Sequence, residues 1–317
     1  MQYRRLRGTD LDVSVICYGP MRAATKEPID DDKSRAGEAA MRCAIDNGVN
    51  FIHSSFEYKT RWMMSNVLKD HPKRHDLIHV IKVPVPDFKD GDTFDPAKFR
   101  LRVEEALTEL HTDRIAVLQW MWRSAPNNDE RRVPMLPGIM DDVCEIFDRM
   151  RDEGKVGHLM SFPYTVASTQ AAIDTGKFDG MIAYYNPIEM EMADLFDQMD
   201  KRDMGFLCIR PLYQGILVDG RDTQATLAEG DRFRDPKFAE DFAKRARVAE
   251  VFKEEIGDSM TRFATRFSLA HPLVASIIVG LNSPAQVEGT IAALDGDLVN
   301  LELVERARKL WAEEFNT

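Results

Sequence analysis

Eight short apolar runs, each bounded by turn residues and each followed by an amphipathic stretch, constrain this chain more than any other feature. The runs lie at Val15–Tyr18, Phe51–Ser54, Ile78–Val83, Ile115–Trp120, Gly157–Ser161, Gly180–Tyr185, Phe206–Ile209 and Ser276–Val279. Their shortness and their β-branched and aromatic content read as buried strands. Helical periodicity follows near 32–47, 61–69, 96–110, 138–152, 165–175, 189–201, 237–256 and 284–294, with an extra C-terminal helix over Leu301–Phe315. Strands that alternate with helices build a parallel sheet covered on its faces, and eight such units close most simply into an α/β (β/α)8 barrel, the TIM barrel. No Pro/Ser-rich linker or low-complexity segment interrupts the pattern, so residues 1–317 are read as one domain. In this architecture the loops after the strands carry function. The longest of them are expected at Met121–Pro137 and Leu217–Pro236.

Composition narrows the partners. A chain of 317 residues with 44% hydrophobic and 30% charged residues buries a large core and stays soluble. Its net charge of −11 is dispersed along the chain, which argues against nucleic acid or an anionic membrane as partner. No run of eighteen apolar residues and no signal-peptide pattern occurs, so a cytoplasmic protein is expected. Cys17, Cys43, Cys144 and Cys208 stand far apart, which predicts reduced thiols and no zinc or iron–sulfur site. A metal-dependent barrel would need carboxylates or histidines at the strand ends. The predicted ends carry Gly19, His53, Lys82, Gln119, Ser161, Asn186, Arg210 and Asn282, with no carboxylate among them.

The chemistry-bearing motifs are GVNFIHSSFEY from Gly48 to Tyr58, IKV at Ile81–Val83, and TDRIAVLQWMW from Thr112 to Trp122. Together they resemble the active-site frame of the aldo/keto reductases. The resemblance implies that Tyr58 donates a proton to a substrate carbonyl while NADP(H) or NAD(H) exchanges a hydride with its carbon. It also implies that Lys82 lowers the tyrosine's pKa. The family's aspartate, which orients the lysine, falls on His53, and its carbonyl-polarising histidine falls on Met121. A neutral imidazole at His53 can accept a hydrogen bond from Lys82; a titrating one would be a general acid/base near neutral pH, and a buried hydrogen-bonded histidine is the third reading. Met121 donates no hydrogen bond and lines an apolar surface. Beside it, Trp120 and Trp122 read either as core packing or as a substrate platform, and Arg123, with Arg131 and Arg132, as groups facing an acidic substrate. The opening segment from Tyr3 to Ser14 resembles the β-hairpin that caps the bottom of the family's barrel.

The resemblance extends to the nucleotide. It implies cofactor contacts from Gly19, Met21, Ser161, Asn186, Arg210, Leu212, Gly215, Gly280, Ser283 and Gln286. The segment Gly154–Pro163 resembles the family's nicotinamide clamp, but the paired serine and asparagine fall on Phe162 and Pro163, and a third clamp residue falls on Ile182. A one-residue slip gives Ser161 the serine's role. The adenine-side acid and amide fall on Gly289 and Thr290. Two or three lost hydrogen bonds predict cofactor affinity weakened by roughly ten- to a thousandfold, or lost. Three readings therefore stand: a reductase of aldehyde, ketone or sugar carbonyls with an altered tetrad, a non-redox acid–base enzyme (lyase or isomerase) using Tyr58, Lys82 and His53, and a catalytically silent binding protein.

Overall fold

The computed structural model describes residues 1–87, 91–122 and 129–316. The chain opens with an antiparallel pair, β1 (Tyr3–Arg5) and β2 (Asp12–Ser14). Eight strands follow: β3 (Ile16–Gly19), β4 (Phe51–Ser55), β5 (Ile78–Pro84), β6 (Ile115–Met121), β7 (Val156–Ser161), β8 (Gly180–Tyr184), β9 (Gly205–Ile209) and β10 (Val274–Gly280). Each pairs in parallel with its neighbour in the chain, and β10 closes the barrel on β3, with Gly280 opposite Gly19. All eight expected strands are present, shifted by at most a residue or two at their ends.

Helices cover the outside: α1 (Asp32–Asp46), α2 (Arg61–Leu68), α3 (Pro96–Glu109), α4 (Asp129–Asp152), α5 (Val166–Thr175), α6 (Phe196–Lys201), α7 (Ala239–Val251), α8 (Lys253–Ile256), α9 (Met260–Ser268), α10 (Pro284–Ala292) and α11 (Leu301–Leu310). Among the described residues, none is long and apolar enough to cross a membrane. Two elements depart from the expectations. Residues 129–137 are helical rather than loop, although Pro134 and Pro137 each cost the helix roughly 3 kcal/mol in local propensity. Packing overrides that cost: Leu136, Met140, Val143, Phe147 and Met150 form one buried stripe at helical spacing. The second departure is α9, which had no sequence assignment. Ser259 caps it by accepting from the Arg262 amide, and Met260, Phe263, Ala264 and Phe267 bury its inner face.

Side chains alternate inward and outward along each strand. The lower barrel layer is a closed apolar cluster of Cys17, Phe51, Val80, Val117, Met160, Ile182 and Leu207, sealed from below by Leu6 of the hairpin. Two residues further along β4, β5 and β6, the same inward direction carries His53, Lys82 and Gln119. The barrel thus changes from apolar to polar at its C-terminal rim.

Candidate active site

The rim residues are aimed by a short turn. Ser55 ends β4 and caps a 3-10 turn over Phe56–Tyr58, its Oγ accepting from the Glu57 amide at 3.4 Å. Lys59 then takes a left-handed conformation (φ 54°), and the chain turns into α2. Glu57 and Tyr58 meet Lys82 of β5. Lys82 Nζ lies 2.5 Å from Glu57 Oε2 and 4.9 Å from the centre of the Tyr58 ring. The side chains of Lys82 and Glu57 are only 9% and 22% exposed, so the ion pair is shielded from bulk water. The expected convergence of Tyr58, Lys82 and His53 is therefore present, with one addition: Glu57 had no role in the sequence reading. Its only signal was its position beside Tyr58 in the motif.

His53 sits below this pair with its ring 5.7 Å from that of Tyr58. Its Nε2 is 2.8 Å from Oε1 of Gln119, the β6 residue in register with Lys82. Burial pushes its pKa down to about 3, and the nearby charges of Lys82 and Arg61 press the same way. Of the three readings of His53, the buried hydrogen-bonded histidine is the one this geometry fits. His53 is a neutral imidazole across the physiological range and does not titrate near pH 7, because taking a cation into a buried site that already holds two is unfavourable. Its Nε2 faces Gln119, while Lys82 pairs with Glu57.

On β6, Trp120 and Met121 are both buried, but on different faces. Trp120 points outward into the layer between strands and helices, against Phe94, Trp122 and Phe178, and its indole N–H donates to the Val85 carbonyl at 2.9 Å. Its surface is spent on the core, which overturns the platform reading for this residue. Trp122 is half-buried; it donates to the Arg132 carbonyl at 2.8 Å and carries the Arg132 guanidinium 4.4 Å above its ring. Arg131 and Arg132 both pair with Asp92, so they clamp two segments together rather than offering free cations. Arg123 lies outside the described residues.

Across the mouth stands an aromatic group of which the sequence reading named only Phe162. Phe162, Tyr164 and Tyr184 pack ring against ring at 4.8–6.1 Å, and the Arg210 guanidinium lies 4.3 Å above Tyr184 and 5.5 Å from Tyr213. Arg210 is held by Glu189 at 2.8 Å. Burial pushes the Glu189 carboxyl up to about 7 even though Arg210 and Asn186 oppose the shift. Asn186 organises this corner. Its Oδ1 accepts from the amides of Ile188 and Glu189, and its Nδ2 donates to Glu189 and to the Arg210 carbonyl. All four of its hydrogen-bonding positions are used internally, so Asn186 acts on a ligand only through the residues it holds.

The turn after β9 is strained. Arg210, Tyr213 and Gln214 all have positive φ (61°, 44° and 58°), as does Gly215 (98°). Such conformations cost about 1–3 kcal/mol each for residues other than glycine and gather where a turn is shaped for a ligand. Leu212 is half-buried at its centre and accepts from the Gly215 amide at 2.8 Å. Nearby, the charged form of Arg232 is disfavoured by burial and by Arg22, Arg221 and Arg210, with Asp231 opposing, so four arginines and an aspartate lie close together. Gly19 and Gly280 face each other at the closing seam. A Cβ on Gly19 would meet the Val279 carbonyl at 2.9 Å, whereas one on Gly280 would meet nothing within 4 Å. Ser283 caps α10 by accepting from the Gln286 amide, and Gln286 in turn accepts from the Asn282 amide at 2.8 Å. Met21 is exposed beside this seam in sequence, and Ser161 is buried at the end of β7.

Residues 15–310 match the Aldo/keto reductase family. The chain is similar to L-galactose dehydrogenase of Arabidopsis thaliana, 23% identical over 305 residues that cover 93% of this chain and 88% of that protein. It is likewise similar to the uncharacterized oxidoreductase YrpG of Bacillus subtilis, 24% identical over 319 residues that cover 93% of this chain and 91% of that one. Among solved structures, glycerol dehydrogenase from Gluconobacter oxydans superposes with a TM-score of 0.75 at 20% identity, covering 99% of this chain and 97% of the other. An aldo-keto reductase from Bacillus halodurans superposes with a TM-score of 0.73 at 19% identity, covering 98% and 96%. With its closed barrel, its hairpin cap and a family match over nearly its whole length, this chain belongs to the aldo/keto reductase family.

Proposed function

We propose that this protein is an NAD(P)H-dependent reductase of small carbonyl compounds, with Tyr58 as the proton donor. The observation that carries this reading is the buried Lys82 ammonium held 4.9 Å from the Tyr58 ring at the functional rim of the barrel. Tyr58 holds a proton on its hydroxyl and releases it to the substrate oxygen as negative charge develops there. Lys82 stabilises the phenolate left behind, an effect that is strong where water is excluded. Gln119, inward-facing beside Lys82, offers the polar group on β6 that Met121 lacks. Phe162, Tyr164 and Tyr184 supply an apolar wall that keeps water from the reacting carbonyl.

The fit to a dinucleotide is uneven. The open position at Gly280, the capped start of α10 and the arginine-rich turn after β9 suit the phosphates. At the resemblance's clamp positions Phe162 offers no hydrogen-bonding side chain, Ile182 is buried in the apolar lower layer, and Asn186 is saturated, which supports weak binding. When bound, the reduced nicotinamide supplies the hydride. The names of the similar proteins, L-galactose dehydrogenase and glycerol dehydrogenase, favour sugars and polyols as the class to test first. The non-redox reading used His53 beside Tyr58 and Lys82 for acid–base chemistry, and the burial that pushes the His53 pKa down favours the reductase reading over it. The test is absorbance loss of NADPH and NADH with a panel of aldehydes, ketones and oxidised sugars, for wild type and Tyr58→Phe. Turnover by wild type that falls roughly 10²–10⁴-fold in the variant supports the proposal. Turnover indifferent to the substitution removes it.

A further inference from the structure

We propose that Glu57 is the positioning carboxylate of this active site, taking over the aspartate's duty toward Lys82 from the turn that carries Tyr58. This rests on the reductase reading above. At position 53, on the barrel wall, the chain has an uncharged imidazole turned toward Gln119. Glu57 instead comes from the turn above the wall and reaches back to Lys82 Nζ at 2.5 Å. An ammonium buried in a barrel needs an opposite charge, and a point charge accepts it from any direction, so the carboxylate can move along the chain without losing its effect.

The relocation has a structural consequence. An aspartate at position 53 would sit on a rigid strand, whereas Glu57 adjoins Tyr58 in the same 3-10 turn. The ion pair therefore ties the turn to β5, so the carboxylate that holds Lys82 also fixes where the Tyr58 hydroxyl stands relative to it. Charge and geometry are coupled in one contact. Replacing the carboxylate by an amide of the same shape keeps the side chain and removes the charge, which separates the two.

The test uses Glu57→Gln, Glu57→Asp, His53→Gln and the double variant Glu57→Gln/His53→Asp in two assays. The first is independent of activity: carbamylation of Lys82 by cyanate, followed across pH by peptide mass spectrometry. Without Glu57 the half-reaction pH of Lys82 should fall by roughly one to three units, whereas His53→Gln should leave it in place. The second is carbonyl reduction. Glu57→Gln should lower kcat by roughly ten- to a hundredfold, the loss of one charge-assisted hydrogen bond, with KM changed much less and the pH–rate profile displaced. Glu57→Asp should recover part of the rate, and an aspartate at position 53 in the Glu57→Gln background should recover more, because it returns a carboxylate to the lysine. Lys82 labelling identical in wild type and Glu57→Gln overturns the proposal, as does an unchanged kcat in that variant. If wild type reduces no carbonyl at all, the reductase reading fails, and the labelling result alone decides whether Glu57 governs Lys82.

Discussion

Lowering the pH from 7.5 to 5.0 should destabilise this protein through two buried histidines, and replacing either one should remove its share. His53 is held at a pKa of about 3 and His79 at about 4, in both cases chiefly by burial. The sign follows from proton counts. Each histidine is neutral in the folded chain, whereas the unfolded chain takes up a proton below about pH 6.5, so stability is full above that pH and is lost as pH falls toward the folded value. At pH 5.0 both folded-state values lie below the working pH, and the loss depends almost entirely on the unfolded one. It is about 1.36 kcal/mol per unit over roughly 1.5 units, or about 2 kcal/mol per histidine. His79 is the cleaner test because it lies outside the catalytic layer. It is buried on the outer side of β5, and neither ring nitrogen has a partner among the described residues. Urea unfolding of wild type and His79→Leu at both pH values should therefore give a pH-dependent loss about 2 kcal/mol smaller in the variant. The variant should also be the more stable of the two at pH 7.5, since an unpaired buried polar group costs about 1–3 kcal/mol. Equal pH dependence in the two proteins would show that the histidine takes up its proton while folded, and the argument that His53 stays neutral would fall with it.

Other outcomes follow from the same geometry. Trp120→Ala should destabilise by about 3–5 kcal/mol, because the indole fills the layer between barrel and helices; an urea midpoint near that of wild type would show that the layer does not need it. Arg210→Met should weaken NADPH binding by about tenfold or more and flatten its salt dependence, measured by nucleotide fluorescence titration. Glu189→Gln should act the other way, since it releases the guanidinium that Glu189 holds at 2.8 Å. Met121→His should raise kcat by adding a donor on the strand that carries Gln119, whereas His53→Asp alone should change it little, because Lys82 already has a carboxylate.

The barrel was legible because its two periodicities are local. A run such as Ile78–Val83 or a stripe such as Met41, Ala44 and Ile45 announces itself within a few residues, and closure follows from counting units. Where local signals conflicted, the reading failed. Pro134 and Pro137 placed the residues before 138 in a loop, while Leu136 and Met140 at four-residue spacing already carried the buried stripe of α4. The choice left open for Trp120, between packing and platform, was decidable in principle. Strand alternation places it on the opposite face from Gln119 and Met121, so its outward, buried position was implied by parity alone.

The site divides along a different line. Tyr58 and Lys82 were singled out by the family resemblance of the motifs that carry them, and each side chain follows directly from its backbone position. Glu57 was in plain view beside Tyr58, yet its role depends on a side chain reaching across a turn to a strand 25 positions away, which no spacing rule encodes. His53 depends on a sum over surroundings: burial, Lys82 and Arg61 together keep it uncharged. A substitution at a motif position therefore removes a residue without necessarily removing its physical contribution. Under the proposed reductase mechanism, proton transfer at Tyr58 needs a cation beside the phenol and a compensating charge beside the cation. The second requirement constrains only distance, so it can be met from the wall below or from the turn above. A chain that has lost the motif's aspartate retains the electrostatic frame as long as some carboxylate stands within hydrogen-bond reach of Lys82, and Glu57 does.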